Sequence, residues 1–587
     1  MNRSDGKPVR HFRGQLVIAL PAVVLILLVG RLIHIQTSLR PELLEYTQQQ
    51  REAHRSLRAR RGTIFDRNGR VLAASREGFS VFADPAQISD PDATAAKLAR
   101  VLGLDRAELF GRLTKDRTRR FVWVERDADE IDVDQVRKLR LAGVGIQTEP
   151  RRVYPLRETL CHVLGFVGRE HKGLEGIELK FDAELAGKDG KRTLLVDARR
   201  RAVWSPPLEQ VAPKDGHSLV LTVDVAIQQL VERTLKKTVA KFEAESAIGL
   251  VTDPRTGEIL AMASWPPFDP NEPGASPTAL RRNRAVTDPS EPGSAFKIFP
   301  ASAYLNEGLT DPDEVIFCHN GLAVLNGRRI RDAHKFGNLT MSEVVARSSN
   351  IGMVILMQRM TPPKLFEYLT RFGFGQKTGV DLPGESAGLL PPTRKWSSYS
   401  PGSMSFGQEI AVTPLQLITA MGAVVNRGRM MRPFMIKSIL DSEGREVQTT
   451  EPVFEGQAVR ADVADVMTRR ILVQTVTEGS GEKANLSDYH VLGKTGTAQV
   501  PYKDRPGYEP GVYLSSFVAA APATDPRICV LVQIRRPNPR ISYYARVVAV
   551  PAVAEILSWT LPYLGVPPDK SPQQLLAQSE YVSQRAH

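Results

Sequence analysis

A serine and a lysine three residues apart, Ser294 and Lys297 in the run Glu291-Pro-Gly-Ser-Ala-Phe-Lys297, have the types and spacing for covalent acyl transfer. Pro292 and Gly293 break the preceding segment. Ala295 to Tyr304 then runs apolar apart from Pro300, which reads as the start of a helix. Positions i and i+3 share a helix face, so the Lys297 amine reaches toward the Ser294 hydroxyl. A serine hydroxyl is a poor nucleophile until a base takes its proton, and a desolvated lysine can be that base. A helix N-terminus adds partial positive charge that favours the alkoxide. The same spacing recurs at Ser4 to Lys7 and Ser480 to Lys483. Those two lack the context: one lies in a polar tail, the other between glycines in a polar loop. The bland alternative for Ser294 is a helix start with an exposed lysine one turn on.

Two further groups of residues decide against that alternative. Ser348-Ser349-Asn350 follows Met341 to Ala346, which has helical periodicity. Lys494-Thr495-Gly496-Thr497 follows the strand-like run Tyr489 to Leu492. The order Ser-x-x-Lys, Ser-x-Asn, Lys-Thr-Gly is the signature of penicilloyl serine transferases. Lys377-Thr378-Gly379 also spells the third box, but it lies in a turn-rich run soon after Asn350. Lys494 is therefore the better candidate.

On these boxes the chain resembles the class B penicillin-binding proteins, bacterial peptidoglycan D,D-transpeptidases. Arg61-Gly62-Thr63-Ile64-Phe65-Asp66-Arg67-Asn68-Gly69 is similar to the family's opening motif beyond the membrane anchor. Gly173-Leu174-Glu175-Gly176-Ile177-Glu178 is similar to the motif preceding the catalytic domain, and Val412 to Leu417 to a segment between the second and third boxes. The resemblance covers nearly the whole chain and points to the cell-division subgroup, the FtsI and SpoVD type. It implies a donor stem peptide ending in D-Ala-D-Ala, attacked by Ser294, with an amine from a neighbouring stem resolving the ester. It implies Lys297 as base, Ser348 as proton relay and Asn350 as holder of Lys297 and the substrate amide. Lys494 would draw in the substrate carboxylate, Thr495 and Thr497 would hydrogen-bond it, and Gly496 would let the strand pass close. The backbone N–H groups of Ser294 and Thr497 would form the oxyanion hole. Expected partners are peptidoglycan stem peptides and lipid-linked precursor strands, β-lactam antibiotics, the membrane, a multi-pass FtsW-type glycosyltransferase and other division proteins. Ala519 and Ala545-Arg546 depart from the family, which often has glycine beside the active-site strand, and are expected to narrow the cleft. Leu156-Arg157 also stands where a glycine is usual.

With 587 residues, about a quarter of them charged, the chain has room for two or three domains. A formal charge of +13 raises nucleic-acid binding, but the arginines are dispersed and no nucleic-acid motif accompanies them. Cys161, Cys318 and Cys529 are too few and too scattered for a disulfide framework or metal site, so buried free thiols are expected. No metal or other cofactor is implied.

Leu16 to Gly30 is uncharged and apolar, and Leu32, Ile33 and Ile35 extend it past Arg31. A cleaved signal peptide would need a small-x-small site, and Arg31, His34 and Gln36 occupy that place. An uncleaved anchor follows, with Arg3, Lys7, Arg10 and Arg13 keeping the tail cytoplasmic. No second apolar stretch approaches this length, so a single pass is expected. The protein then sits in the bacterial cytoplasmic membrane, N-terminus inside, catalytic domain outside. The fold expected is multidomain. Residues 1–15 form a cytoplasmic tail, 16–35 a transmembrane helix, 36–60 a solvated helical stalk and 61–213 a non-catalytic α+β pedestal of the dimerisation type. Residues 214–563 form an α/β serine β-lactamase-like transpeptidase domain, and 564–587 a flexible tail. Arg199-Arg200-Arg201 reads as a solvated loop at a domain edge.

Three rival readings remain beside division. An elongation-specific transpeptidase shares every box; the compact spacer from Gly165 to Gly173 favours division. A serine β-lactamase shares the boxes too, but the class A Glu-x-x-Leu-Asn segment that activates water is absent. An inactive scaffold or sensor would be expected to lack a box residue or to carry an output domain.

Overall fold

The computed structural model describes residues 9–40, 52–195, 197, 209–325, 327–502 and 504–570. The cluster Arg199–Arg201, most of the cytoplasmic tail, part of the stalk and most of the C-terminal tail lie outside the described residues. The chain divides into two compact units, Met1–Ala59 with Lys188–Lys214, and Arg60–Gly187 with Asp215–His587.

In the first unit, Val9–Thr37 is one helix. It continues past Arg31, and Val17–Thr37, 21 residues, is long and apolar enough to cross a membrane. The rest of this unit is an antiparallel sheet of Glu52–Leu57, Gly190–Leu195 and Glu209–Val211, with Glu52 opposite Leu195. The end of the expected helical stalk is thus a strand. Its Glu, Leu and Arg favour helix only weakly, and ladder pairing with a segment far along the chain outweighs that preference.

The second unit starts with the pedestal. Ile64–Phe65 and Val71–Ala83 form a hairpin around Asn68-Gly69, and Gly69 takes the positive φ that the turn requires. Val71–Ala83 goes on to pair with Val144–Val153 and Val122–Ala128. The helices Pro91–Leu102 and Arg106–Thr114 start where Asp90 and Asp105 accept the free N–H groups of the first turn. Their Leu98 and Leu109 pack with Val81, Val124 and Val133 into a separate small core.

Arg61 and Glu178, residues of two motifs 117 positions apart, meet in the pedestal. Arg61 pairs with the fully buried Glu178 through Nε, reaches Glu178 O with Nη2 at 2.6 Å and Asp182 Oδ1 with Nη1 at 2.6 Å. Arg152 Nε closes on the other oxygen of Glu178 at 2.6 Å, and the Tyr154 hydroxyl donates to it at 3.2 Å.

The catalytic region is built on a five-stranded antiparallel sheet. Its order is Ile259–Trp265, Ser246–Thr252, Ile528–Arg535, Tyr508–Ala521, Leu492–Pro501. Both faces are covered, so the strands read as near-continuous apolar runs. Phe517, Ala519 and Ala521 join one core with the helices Val225–Phe242 and Val550–Tyr563, while Val518 and Ala520 join the other. By length and composition Ala545–Tyr563 also qualifies as a membrane span, against the expectation of no second such stretch. Val553, Ile556, Leu557 and Leu561 are fully buried in the second core, which makes it a core helix. Ala519 lies in that same core; it does not narrow the cleft.

Candidate active site

Ser294 sits in a 3₁₀ turn, Gly293–Lys297, that runs into the helix Ile298–Asn306. At three residues per turn, i and i+3 eclipse, which aligns Ser294 and Lys297 more closely than an α-turn would. The turn is gripped from two sides. Gly407, with φ at +82°, gives its carbonyl to Gly293 N at 3.1 Å, and a methyl there would fall 2.2 Å from Gly293 O. On the other side, a methyl on Gly496 would fall 2.7 Å from Pro292 O and 2.5 Å from Ser516 Oγ. The third-box strand therefore lies flush against the nucleophile turn. The close approach that needs glycine at 496 is to the protein itself.

Lys297 is completely buried, and its amine donates to Ser348 O at 2.6 Å and Ser348 Oγ at 3.1 Å. Burial first, and then the charge of Lys494, hold Lys297 well below the ordinary lysine range, with Asp332 and Cys318 pulling the other way. Ser348 follows the helix Met341–Ala346 and has φ at +66°. Asn350 opens the helix Asn350–Met357. Its side chain does not hold Lys297: Nδ2 donates to Arg331 O at 3.0 Å. The backbone carbonyl of Ser348 fills that role.

Lys494, Thr495, Gly496 and Thr497 lie on Leu492–Pro501, opposite Val518, Phe517, Ser516 and Ser515. Lys494 is fully buried, with its amine 3.3 Å from Thr495 O, and burial lowers its pKa to about 7. The Thr495 hydroxyl is paired with Ser480 Oγ at 2.5 Å. Thr497 Oγ1 accepts from Ala545 N at 3.2 Å, so Ala545 supports this strand through its backbone. The other triplet is elsewhere. Thr378 and Gly379 are capped by the Glu385 carboxylate, and Lys377 lines a cavity of about 440 Å³ that includes none of the three boxes.

Four residues of this architecture were not legible as such. Asp332 accepts from Ser349 Oγ, Asn350 N and Ile351 N. The Glu291 carboxylate accepts from Glu409 N and the Tyr508 hydroxyl, both at 2.9 Å, tying the nucleophile loop to two other segments. Burial raises the pKa of that carboxyl. Ser480 was visible only as a misplaced Ser-x-x-Lys, and Gly407 and Asp332 carry no local signal at all. All three cysteines are buried free thiols, and Cys318 Sγ lies 3.4 Å from Ser349 Oγ.

Residues 247–558 match the family model of the penicillin binding protein transpeptidase domain, and residues 56–221 that of the penicillin-binding protein dimerisation domain. The chain is 35% identical to stage V sporulation protein D of Bacillus subtilis over 87% of its own length and 79% of that protein's. Identity to the peptidoglycan D,D-transpeptidase FtsI of Escherichia coli is 31%, over 87% and 84%. Among solved structures, penicillin binding protein 3 of Mycobacterium tuberculosis complexed with aztreonam superposes with a TM-score of 0.69 at 28% identity, over 88% of this chain and 98% of that one.

Proposed function

Because this chain belongs to the class B penicillin-binding proteins, we propose that it is a peptidoglycan D,D-transpeptidase that cross-links stem peptides through an acyl-enzyme on Ser294 during septal wall synthesis. The observation that carries this reading is the fully buried Lys297 amine, in the same turn as Ser294 and donating to both oxygens of Ser348, with a second fully buried amine at Lys494.

In the proposed cycle Lys297 takes the Ser294 proton as Oγ attacks the penultimate D-alanine carbonyl. The C–N bond then breaks, and Ser348 passes a proton from Lys297 to the departing D-alanine nitrogen. An amine of a second stem attacks the ester, loses a proton to Lys297, and Ser294 Oγ leaves and is reprotonated. Lys494 holds the donor carboxylate, with Thr497 and Thr495 beside it. Asn350 faces the substrate amide. The N–H groups of Ser294 and Thr497 receive the oxyanion, where one donor is worth on the order of 3 kcal/mol.

The helix Val17–Thr37 is read as a single-pass anchor with the N-terminus inside, because Arg3, Lys7, Arg10 and Arg13 precede it. The region before the catalytic domain has no recognisable polymerase motif, so glycan strands come from a separate glycosyltransferase of the FtsW type. The compact spacer from Gly165 to Gly173 favours the septal assignment.

Fluorescent penicillin tests the chemistry. The purified protein is expected to take one adduct that persists for minutes, abolished by Ser294→Ala and kept by Ser480→Ala. Labelling that survives Ser294→Ala sinks the assignment, and fast release of hydrolysed drug favours a β-lactamase. Depletion is expected to give filaments with stalled septa; round cells that still divide would move the protein to elongation.

A further inference from the structure

The conformation of Ser348 needs an explanation. A non-glycine residue at φ +66° is uncommon and persists where its surroundings fix it. One contact is the amine of Lys297 on its carbonyl. The helix Met341–Ala346 supplies two more, closing on Ser348 as its left-handed cap with Ser348 N on Val345 O at 3.2 Å and Ser349 N on Val344 O at 2.9 Å. The rest act on the three residues that follow, and they converge on one carboxylate.

Asp332 lies just after the strand Arg328–Arg331. Its Oδ1 accepts from Asn350 N at 2.6 Å and Ile351 N at 3.1 Å, and its Oδ2 accepts from Ser349 Oγ at 2.6 Å. Asn350 Nδ2 returns a bond to Arg331 O. Ser349, in turn, accepts from Gly352 N at 3.0 Å as the cap of its helix. A charged acceptor with three donors is a strong tether.

We propose that Asp332 is a positioning residue of the acylation machinery, clamping residues 349–351 so that Ser348 presents both its oxygens to Lys297. The inference rests on the reading that Ser294, Lys297 and Ser348 perform acylation. Asp332 touches no reacting atom and acts through Ser348. Its negative charge also acts on Lys297. The charged or titratable groups facing that amine are Lys494, Asp332 and Cys318; Lys494 favours the neutral amine and Asp332 the ammonium. Two effects are therefore separable. Asparagine preserves an acceptor for the two N–H groups and removes the charge. Alanine removes both.

The test is the second-order rate of acylation by fluorescent penicillin in the full-length, detergent-solubilised protein, measured across pH for wild type, Asp332→Asn, Asp332→Ala and Ser349→Ala. Asp332→Ala is expected to slow acylation on the order of 100-fold, as displacement of a relay group does. Asp332→Asn is expected to slow it less, and to move the acid limb of the profile to lower pH, because Lys297 loses its proton more readily. Ser349→Ala, which loses one of three donors and leaves the charge, is expected to lower the rate without moving the limb. Wild-type rates in Asp332→Asn and Asp332→Ala overturn the proposal. So does an Asp332→Asn profile with an unshifted limb, or a limb that moves as far in Ser349→Ala. If Asp332→Ala does not fold, the Asn and Ser349 profiles alone decide. Failure of the underlying reading is distinct: it would appear as labelling that survives Ser294→Ala.

Discussion

In the pedestal, Glu178 lies fully buried between Arg61 and Arg152; in the cleft, Lys297 and Lys494 are as deeply buried, and their amines rest on oxygens of Ser348 and Thr495. The first arrangement neutralises its charges. Two guanidiniums balance the carboxylates of Glu178 and Asp182, the Tyr154 hydroxyl adds a bond to Glu178, and only Arg152 Nη2 in this group is left without a partner. Against the cost of burial, Glu178 and Asp182 hold Arg61 more firmly protonated. The second buries two amines together, and burial first, then the charge of Lys494, drives Lys297 toward the neutral form. A buried pair of opposite charges specifies a fold, whereas a buried pair of like charges stores a reactive protonation state. The same chain uses both, and what distinguishes them is the sign of the partner.

The largest effect expected on this contrast is in the pedestal. Glu178→Gln leaves two buried guanidiniums without their carboxylate, which costs about 3–5 kcal/mol. Thermal unfolding should show a fall in Tm large enough to compromise the domain, with penicillin acylation intact in whatever fraction stays folded. A Tm within a degree of wild type would mean that the network is decorative. Lys494→Met is expected to behave oppositely. Its folded pKa of about 7 lies below the unfolded value of 10.5, so the burial penalty is full below pH 7 and disappears as pH rises toward 10.5. The variant should be as stable as wild type or more so at pH 7, and a loss like that of Glu178→Gln would break the comparison.

The same substitution should be ruinous for chemistry. Without the Lys494 charge, acylation is expected to slow by about 100-fold, the scale of one lost electrostatic contact in the transition state. Lys377→Ala should stay within about twofold, since its triplet is capped by Glu385 at a separate cavity and surface substitutions of this kind are small in effect. The reverse pattern would show that the wrong triplet has been assigned.

The pH profile sharpens the contrast further. Acylation needs Lys297 neutral, so its rate should rise with pH through the depressed pKa of that amine. It also needs Lys494 charged, so the rate should fall as pH rises through about 7. The profile should be bell-shaped, with limbs belonging to the coupled pair. In Lys494→Met the falling limb should vanish. The rising limb should shift to higher pH, because a neighbouring positive charge has been removed from Lys297. A profile in that variant with both limbs in place would assign them to other groups.

How far the sequence announces all this depends on how local the signal is. The nucleophile turn and the helix Met341–Ala346 follow from breakers and periodicity, and the structure has them where those signals fall. The strand Glu52–Leu57 does not follow, because its partner Gly190–Leu195 lies more than a hundred residues away and nothing in its own composition announces the pairing. Arg61 and Glu178 could each be singled out as motif residues, yet their meeting is visible only in three dimensions. Within the cleft the boxes themselves are legible, since their chemistry demands specific residue types. Their supports are not. Gly407 and Asp332 are ordinary loop residues whose importance comes from a contact distance, and Asn350 reads as a holder of Lys297 only until its amide is seen on Arg331 O.

Among the residues that bear on the cleft, Ser480 gives the smallest expected effect and the finest test of the contrast between supports and reacting groups. By spacing it resembles a second Ser-x-x-Lys, with Lys483 one turn on, and by position it sits between two glycines. In the structure its hydroxyl instead meets Thr495 Oγ1, on the strand that carries Lys494. It therefore bears on the third box without any route to the chemistry of the first. Ser480→Ala should leave a mass adduct of one drug per chain. The hydroxyl of Thr495, losing one neutral partner, is worth about 1 kcal/mol, which converts to a slowing of roughly fivefold. That loss should fall on substrate capture, so the apparent affinity for penicillin should weaken more than the limiting acylation rate. Thr495→Val should give a loss of similar size, and the double variant should be little worse than either alone, because both break one bond. Additive losses would mean that the two hydroxyls act separately, and complete loss of the adduct in Ser480→Ala would return this serine to the list of nucleophiles.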